Sequence, residues 1–129
     1  MQTTLQNSKQ AEKYFEDEVN FTINPRGVEV ALQKGESVTI VDLRDEASYA
    51  TGHIPGAINI PYDKFQRFSG PEKEFSGLKR NSFNYIYCYD LLCGLTKVAC
   101  LKFASLGYPV KEMKGGFKEW SQSGYSIEK

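Results

Sequence analysis

The sequence lacks a long apolar run, and this absence narrows the class of protein. No stretch approaches the roughly 20 apolar residues that a membrane-spanning helix needs, so we expect no membrane partner. The N-terminal residues from Met1 to Gln6 also lack the basic flank and apolar block that form a secretory signal. We therefore expect a cytoplasmic protein.

An excess of charge of either sign is missing as well. The 16 basic and 16 acidic residues cancel, so no strong field is expected to attract nucleic acid. Hydrophobic residues make up 40% and charged residues 25% of the 129 positions, as in ordinary globular proteins. This length suits one domain with its own core. We expect a single domain over residues 1–129 and no nucleic-acid partner.

Histidine and cysteine are scarce, and nucleotide-binding motifs are missing. The chain has one histidine and three cysteines without a Cys-x-x-Cys pair, so a zinc site is not expected. An odd number of cysteines argues against a full disulfide framework and agrees with a reducing compartment. Gly115-Gly116 is too short for a phosphate loop, and neither a Walker nor a dinucleotide fingerprint occurs. We therefore expect no metal and no cofactor.

Helical and extended patterns alternate along the chain. The β-branched, mostly apolar run from Val38 to Leu43 indicates a strand that is buried on both faces. Further strands are predicted at residues 57–60, 85–88 and 110–113, and helices at residues 8–19, 25–34, 45–50, 95–106 and 117–122. This alternation predicts an α/β fold with a mainly parallel sheet, whose site lies beyond the C-terminal strand ends.

Cys88 is the strongest candidate for a catalytic residue. It ends the apolar run Tyr85-Ile86-Tyr87 and precedes a glycine-containing turn and a helix. A cysteine at this place faces the first free N–H groups of the helix, which favour an anion, and the thiolate is the reactive form of cysteine. The alternative is a buried structural cysteine, a common role for a free thiol. The position before a glycine-bearing turn favours the reactive thiol.

The other two cysteines have less specific signals. Cys93 is either a resolving thiol or second sulfur acceptor for Cys88, or a small side chain that fills the loop. The loop-filling role is the more frequent one, because redox-sensing pairs are a minority. Cys100 falls within the predicted helix between apolar residues, so we expect it to pack in the core.

Three polar residues near the predicted sheet edge could support the site. His53 lies in Gly52-His53-Ile54-Pro55-Gly56-Ala57, and we expect it to fix this turn, because no neighbouring carboxylate is present to orient a general base. Asp42 and Arg44 are two residues apart at a strand end and point to the same side. A structural ion pair is expected, with Arg44 binding an anionic substrate as the alternative.

Three segments together resemble a rhodanese (sulfurtransferase) domain. They are residues 41–61, which contain Gly-His-Ile-Pro-Gly-Ala, residues 85–88, which end at the cysteine, and residues 106–120, which end in Gly-Gly-Phe-x-x-Trp. Their order and spacing match the family over residues 34–129. Residues 1–24 resemble an N-terminal helical extension of some single-domain members.

The resemblance implies a three-layer α/β/α fold around a five-stranded, mainly parallel sheet. It implies that Cys88 takes sulfane sulfur from a donor, thiosulfate or a persulfide, and passes it to cyanide or to a thiol or protein acceptor. The loop after this cysteine would aim its backbone N–H groups at the sulfur. The loop residues are Tyr89, Asp90, Leu91, Leu92, Cys93 and Gly94.

The loop departs from the family pattern in its charge. Active members often carry Arg or Lys there, whereas this loop has no basic residue, Asp90 adds a negative charge, and Lys97 is the nearest cation in sequence. The missing cation weakens the binding of anionic thiosulfate, so we expect a protein persulfide or a small thiol persulfide as donor. A related phosphatase class closes a longer loop with arginine, and the absence of arginine near Gly94 disfavours phosphoester hydrolysis.

Three functions are compatible with these observations. The first is a sulfurtransferase or sulfur carrier that uses Cys88. The second is a thiol redox or sensor protein that uses Cys88 and Cys93. The third is a non-catalytic module whose loop presents Leu91 and Leu92 to a partner protein, since exposed apolar groups often mark interfaces. A homodimer is also compatible with the sequence.

Overall fold

The computed structural model describes residues 4–63, 75 and 77–129. Helices and strands alternate over these residues, as the sequence pattern predicts. In chain order the elements are α1 (Thr4–Phe21), β1 (Thr22–Ile23), α2 (Pro25–Gln33), β2 (Thr39–Asp42), α3 (Glu46–Thr51), β3 (Ile58–Asn59), β4 (Asn84–Tyr87), α4 (Leu95–Ser105), β5 (Val110–Met113) and α5 (Gly116–Gln122). Among the helices described, none combines the length and the apolar content needed to cross a membrane.

The strands form one parallel sheet in the order β1-β5-β4-β2-β3. This confirms the predicted α/β class and the five-stranded sheet. In the centre of the sheet Asp42 of β2 pairs with Tyr87 of β4. The residues that follow these two strands, Leu43 and Cys88, therefore leave the sheet at the same edge, where sites of parallel sheets lie.

The fifth strand, β1, was not found in the sequence pattern. It consists of Thr22 and Ile23 and pairs with Glu112 and Met113 of β5. Two residues are too few to show the alternation by which a strand is recognised. The first helix is also longer than predicted, since it ends at Phe21 and not at residue 19.

The sheet separates two hydrophobic cores. Successive residues of a strand point to opposite faces, so Ile86 and Cys88 face α4 while Tyr85 and Tyr87 face α2 and α5. Phe103 of α4 is fully buried in the first core. The central layer is thus covered on both sides, which is the predicted three-layer arrangement.

A buried ion pair lies at the C-terminal end of β2. Arg44 Nη2 is 2.7 Å from Asp42 Oδ2, and these residues are 5% and 0% exposed. Arg44 also donates to the Gly52 carbonyl at 2.6 Å, and the Tyr87 hydroxyl donates to Asp42 at 2.5 Å and accepts from the amide of Ile54. This network connects β2, β4 and the turn after α3.

We expect the substitution Asp42→Asn to lower the free energy of unfolding by about 3–5 kcal/mol, because Arg44 would stay buried without a counter-charge. Chemical denaturation measures this change. The matched control is Asp17→Asn, which breaks a pair with Lys13 at 3.6 Å whose side chains are 50% and 79% exposed. An exposed pair contributes less than about 1 kcal/mol, so equal losses in the two variants would contradict the buried network's role.

Candidate active site

Cys88 lies immediately after β4 and is 1% exposed. Its side chain packs in the core on the α4 face of the sheet with Leu43. Six residues, from Tyr89 to Gly94, then form a loop that leads into α4, and Gly94 is the residue before the first turn of that helix. The predicted nucleophile and its loop therefore lie at the C-terminal edge of the central strands.

Neighbouring helices hold the first part of this loop. The amides of Phe117 and Lys118 in α5 donate to the carbonyls of Cys88 and Tyr89, both at 2.9 Å. The Tyr89 hydroxyl donates to the carboxylate of Asp45, the N-cap residue of α3. This hydrogen bond and those from Ser48 lower the pKa of Asp45 to about 2.

The backbone N–H groups of the loop are arranged differently from what the resemblance implies. The Tyr89 amide donates to the Cys88 sulfur. The Leu92 amide donates to the Asp90 carboxylate at 3.0 Å, and the Cys93 amide donates to the Asp90 carbonyl at 3.2 Å. A carboxylate two residues earlier is a strong local acceptor, so Asp90 binds amides that were expected to face the sulfur.

The surroundings of the Cys88 thiol favour its protonated form. Burial raises the pKa of Cys88 above its ordinary value, the neighbouring Cys93 thiol raises it further, and the Tyr89 amide lowers it only in part. Burial therefore opposes the effect that is expected of the free amides at the start of α4. Desolvation disfavours the charged form, and it outweighs a single amide when the loop contributes no cation.

This balance predicts a slow alkylation of Cys88 in the folded protein. Since its pKa is raised above 9.0, we expect the rate with iodoacetamide to keep rising with pH above about 9, where an ordinary thiol levels off. Peptide mapping after timed alkylation measures the rate at each pH, and the denatured protein is the control. A plateau of the folded protein's Cys88 rate near neutral pH would contradict the buried-thiol assignment.

Two lysines near the loop, Lys97 and Lys114, are paired with carboxylates. Lys97 Nζ is 3.0 Å from Glu112 Oε1, and Lys114 Nζ is 3.0 Å from Glu18 Oε1 and 3.9 Å from Glu112. Lys97, Lys114 and Glu112 line a cavity of about 170 Å³ together with Asp90 and Cys93. Lys97 therefore lies beside the loop, as its sequence position suggests, but its charge is neutralised there.

Asp42 and Arg44 are on the other face of the sheet from the Cys88 thiol. The guanidinium group of Arg44 is occupied by Asp42 and the Gly52 carbonyl and lies 4.1 Å from the centre of the Phe117 ring. This is the ion pair that the sequence predicts. The geometry leaves Arg44 in the protein core and away from the thiol.

His53 contacts the turn in which it lies and the C-terminal segment. It stacks on Tyr49 with ring centres 3.8 Å apart, its Nδ1 is 2.9 Å from the Tyr49 carbonyl, and its Nε2 is 3.2 Å from Glu128 Oε1. The expected turn-fixing contacts are therefore present. The carboxylate that the local sequence lacks comes from Glu128, which no local pattern could associate with His53.

Sequence reasoning missed the role of Gly116 in shaping the loop. Its φ is +64°, and a Cβ atom there would lie 2.6 Å from the amide nitrogen of Asp90 and 2.8 Å from the carbonyl oxygen of Cys88. Only glycine permits this backbone conformation and this close approach at once. The Gly-Gly pair before a helix was the available signal, but it does not reveal which backbone packs against it.

We expect Gly116→Ala to displace the loop and to destabilise the fold. Gly124→Ala is the matched control, because Gly124 has φ +80° but open space around the new methyl group. The control should lose about 1–2 kcal/mol of stability from the backbone conformation. Gly116→Ala should lose about 1–3 kcal/mol more from the overlap. Chemical denaturation measures both, and equal losses would show that the contact with the loop has no effect.

Two larger cavities flank the loop. One of about 500 Å³ is lined by apolar and acidic residues, among them Leu43, Tyr62, Tyr89 and Leu95. The other, of about 450 Å³, includes the loop residues Leu91 and Leu92, which are 69% and 92% exposed. Within the described part of the chain no group of three His, Cys, Asp or Glu side chains could hold a metal ion.

Comparison with known proteins agrees with this geometry. The family model for the rhodanese-like domain matches residues 27–123. The chain belongs to the rhodanese-like domain family. The BH2092 protein from Bacillus halodurans has a similar structure, with 29% identity, a TM-score of 0.82, and coverage of 94% of this chain and 85% of that one. The Alr3790 protein from Anabaena is 30% identical with a TM-score of 0.67, covering 82% of this chain and 81% of that one.

Two curated relatives are longer proteins. The HTH-type transcriptional regulator Rv0324 from Mycobacterium tuberculosis is 30% identical over 95 residues, which are 70% of this chain and 38% of the regulator. The adenylyltransferase and sulfurtransferase UBA4 from Candida albicans is 24% identical over 102 residues, 78% of this chain and 23% of that protein. The chain thus spans well under half the length of these relatives.

Proposed function

We propose that this rhodanese-like domain is a sulfurtransferase or sulfur carrier that moves sulfane sulfur from a persulfide donor through Cys88 to a thiol acceptor. The observation that carries the proposal is the position of Cys88 directly after β4, enclosed by the loop from Tyr89 to Gly94. One relative, UBA4 from Candida albicans, is named as a sulfurtransferase, which supports this class of reaction at the level of the family.

The reaction consists of two thiol exchanges. The Cys88 thiolate attacks the outer sulfur of the donor persulfide, the sulfur–sulfur bond of the donor breaks, and the donor leaves as a thiolate that takes up the proton Cys88 has lost. An acceptor thiolate then attacks the outer sulfur on Cys88, and the Cys88 thiolate leaves. Neither step changes the total oxidation state, so no external oxidant or reductant is needed.

The charges around the loop favour a persulfide over thiosulfate. Asp90 places a carboxylate in the loop, and the nearby Lys97 is neutralised by Glu112. Thiosulfate is a dianion, so Asp90 repels it and the neutralised Lys97 does not attract it. The cavity that Leu43 and Leu95 line instead suits the apolar part of a small thiol persulfide or of a protein side chain.

Access to Cys88 requires movement of the loop, because the thiol is only 1% exposed. The tip residues Leu91 and Leu92 are largely exposed, and an exposed apolar pair suits contact with a partner protein. We therefore assign the loop tip as the place where a donor or acceptor protein makes contact and opens the path to the thiol.

Intact mass after incubation with cysteine persulfide, and separately with thiosulfate, tests the proposal. We expect one added sulfur atom, mapped to the Cys88 peptide, and a rate with the persulfide about tenfold or more above that with thiosulfate, because Asp90 repels an anion and Glu112 neutralises Lys97. The variant Cys88→Ser should take up none. Cys100→Ser, which removes a thiol from the adjoining helix α4, is the control and should behave like the wild type.

Two results would contradict the proposal. Sulfur uptake that survives Cys88→Ser would exclude Cys88 as the carrier. A reduced Cys88 that gains no sulfur from either donor would favour the binding module, with Leu91 and Leu92 as its contact surface.

A further inference from the structure

A second thiol, Cys93, lies close to Cys88. It is five residues further along the chain, half-buried, and packs against the same hydrophobic core that contains Cys88. The Cys93 amide donates to the Asp90 carbonyl at 3.2 Å, so the loop turns between these two residues. After burial, the Cys93 thiol is the largest influence that raises the pKa of Cys88.

Cys93 is also the more accessible of the two thiols. It lines the cavity of about 170 Å³ beside Lys97 and Lys114, whereas Cys88 is 1% exposed. It belongs to the loop before α4 and not to a regular element. A disulfide requires the two Cα atoms to lie within roughly 7 Å, and a residue in a loop can shift its backbone more readily than one inside a helix.

We propose that Cys93 resolves the persulfide formed on Cys88, so that the site releases hydrosulfide and closes as a Cys88–Cys93 disulfide. This inference rests on the proposed function, because it begins from the loaded Cys88. It adds a second reacting residue to the site and a second fate for the bound sulfur, which leaves as sulfide when an acceptor thiol does not take it first.

The step balances without an external oxidant. The Cys93 thiolate attacks the inner sulfur of the persulfide, which is the Sγ of Cys88. The bond between the two sulfurs of the persulfide breaks, the outer sulfur keeps the electron pair and leaves as hydrosulfide, and the new bond joins the two cysteines. The sulfane sulfur is reduced to sulfide while the two cysteine sulfurs are oxidised to the disulfide, and a dithiol reductant restores both thiols by exchange.

Cys100 is a matched control within the same chain. It also packs against the core that contains Cys88, but it lies inside α4, and burial raises its pKa to about 12. Its fixed helical position and its protonated thiol make it a poor nucleophile. Loss of Cys100 should therefore leave the fate of the persulfide unchanged.

The test follows one turnover of reduced protein that is loaded with cysteine persulfide and then freed of donor. In the wild type we expect the added sulfur to disappear, hydrosulfide to appear in equal amount, and the protein mass to fall by two hydrogen atoms below the reduced form. In Cys93→Ser and Cys93→Ala, Cys88 should still take up one sulfur atom, and this sulfur should persist about tenfold longer or more, because an intramolecular thiol acts at high effective concentration. Cys100→Ser should match the wild type.

The outcomes separate this inference from the proposed function. A persulfide that decays equally fast in the Cys93 variants and in the wild type would overturn the inference, and so would added sulfur mapped to Cys93 without a disulfide. In the first case the loading of Cys88 still supports the sulfurtransferase proposal, and in the second case the proposal stands if Cys88→Ser takes up no sulfur. If the wild type takes up no sulfur, the proposed function fails first, and this inference fails with it.

Discussion

The parallel pairing of β2 with β4 is the constraint on which the site depends. It places Asp42 beside Tyr87, so that the tyrosine hydroxyl and Arg44 can neutralise a carboxylate that is fully buried. Tyr87 and Cys88 are consecutive residues and point to opposite faces of the sheet. The charged network therefore supports the strand end from one side, while the thiol stays in an apolar environment on the other.

That apolar environment decides the resting state of Cys88. Burial and the Cys93 thiol raise its pKa, and the Tyr89 amide opposes them without prevailing. The thiol is thus protected from adventitious oxidation and alkylation until the loop moves. Under the proposed function, selectivity would come from what opens the loop, since a protein that contacts Leu91 and Leu92 differs from a small anion in size, charge and apolar surface.

Much of this arrangement could be predicted from the sequence. The run from Val38 to Leu43 contains β2, and Cys88 lies between a strand and a helix as the sequence predicts. The features that could not be predicted depend on tertiary contacts or on competition within the loop. Glu128 meets His53 from 75 positions away, β1 has only two residues, and Asp90 takes the amides of Leu92 and Cys93 by a preference that only the folded loop reveals.

The contact of Gly116 with the backbone of residues 88–90 divides the loop into a fixed stem and a free tip. The stem is held by amides of α5 and leaves no space for an added side chain, whereas Leu91 and Leu92 lie outside this contact. Exchanges of the exposed side chains of Leu91 and Leu92 therefore do not meet the contact between Gly116 and the loop backbone. A new specificity can therefore evolve, or be engineered, by substitution of tip residues such as Leu91 and Leu92. The stem meanwhile keeps Cys88 at the end of β4.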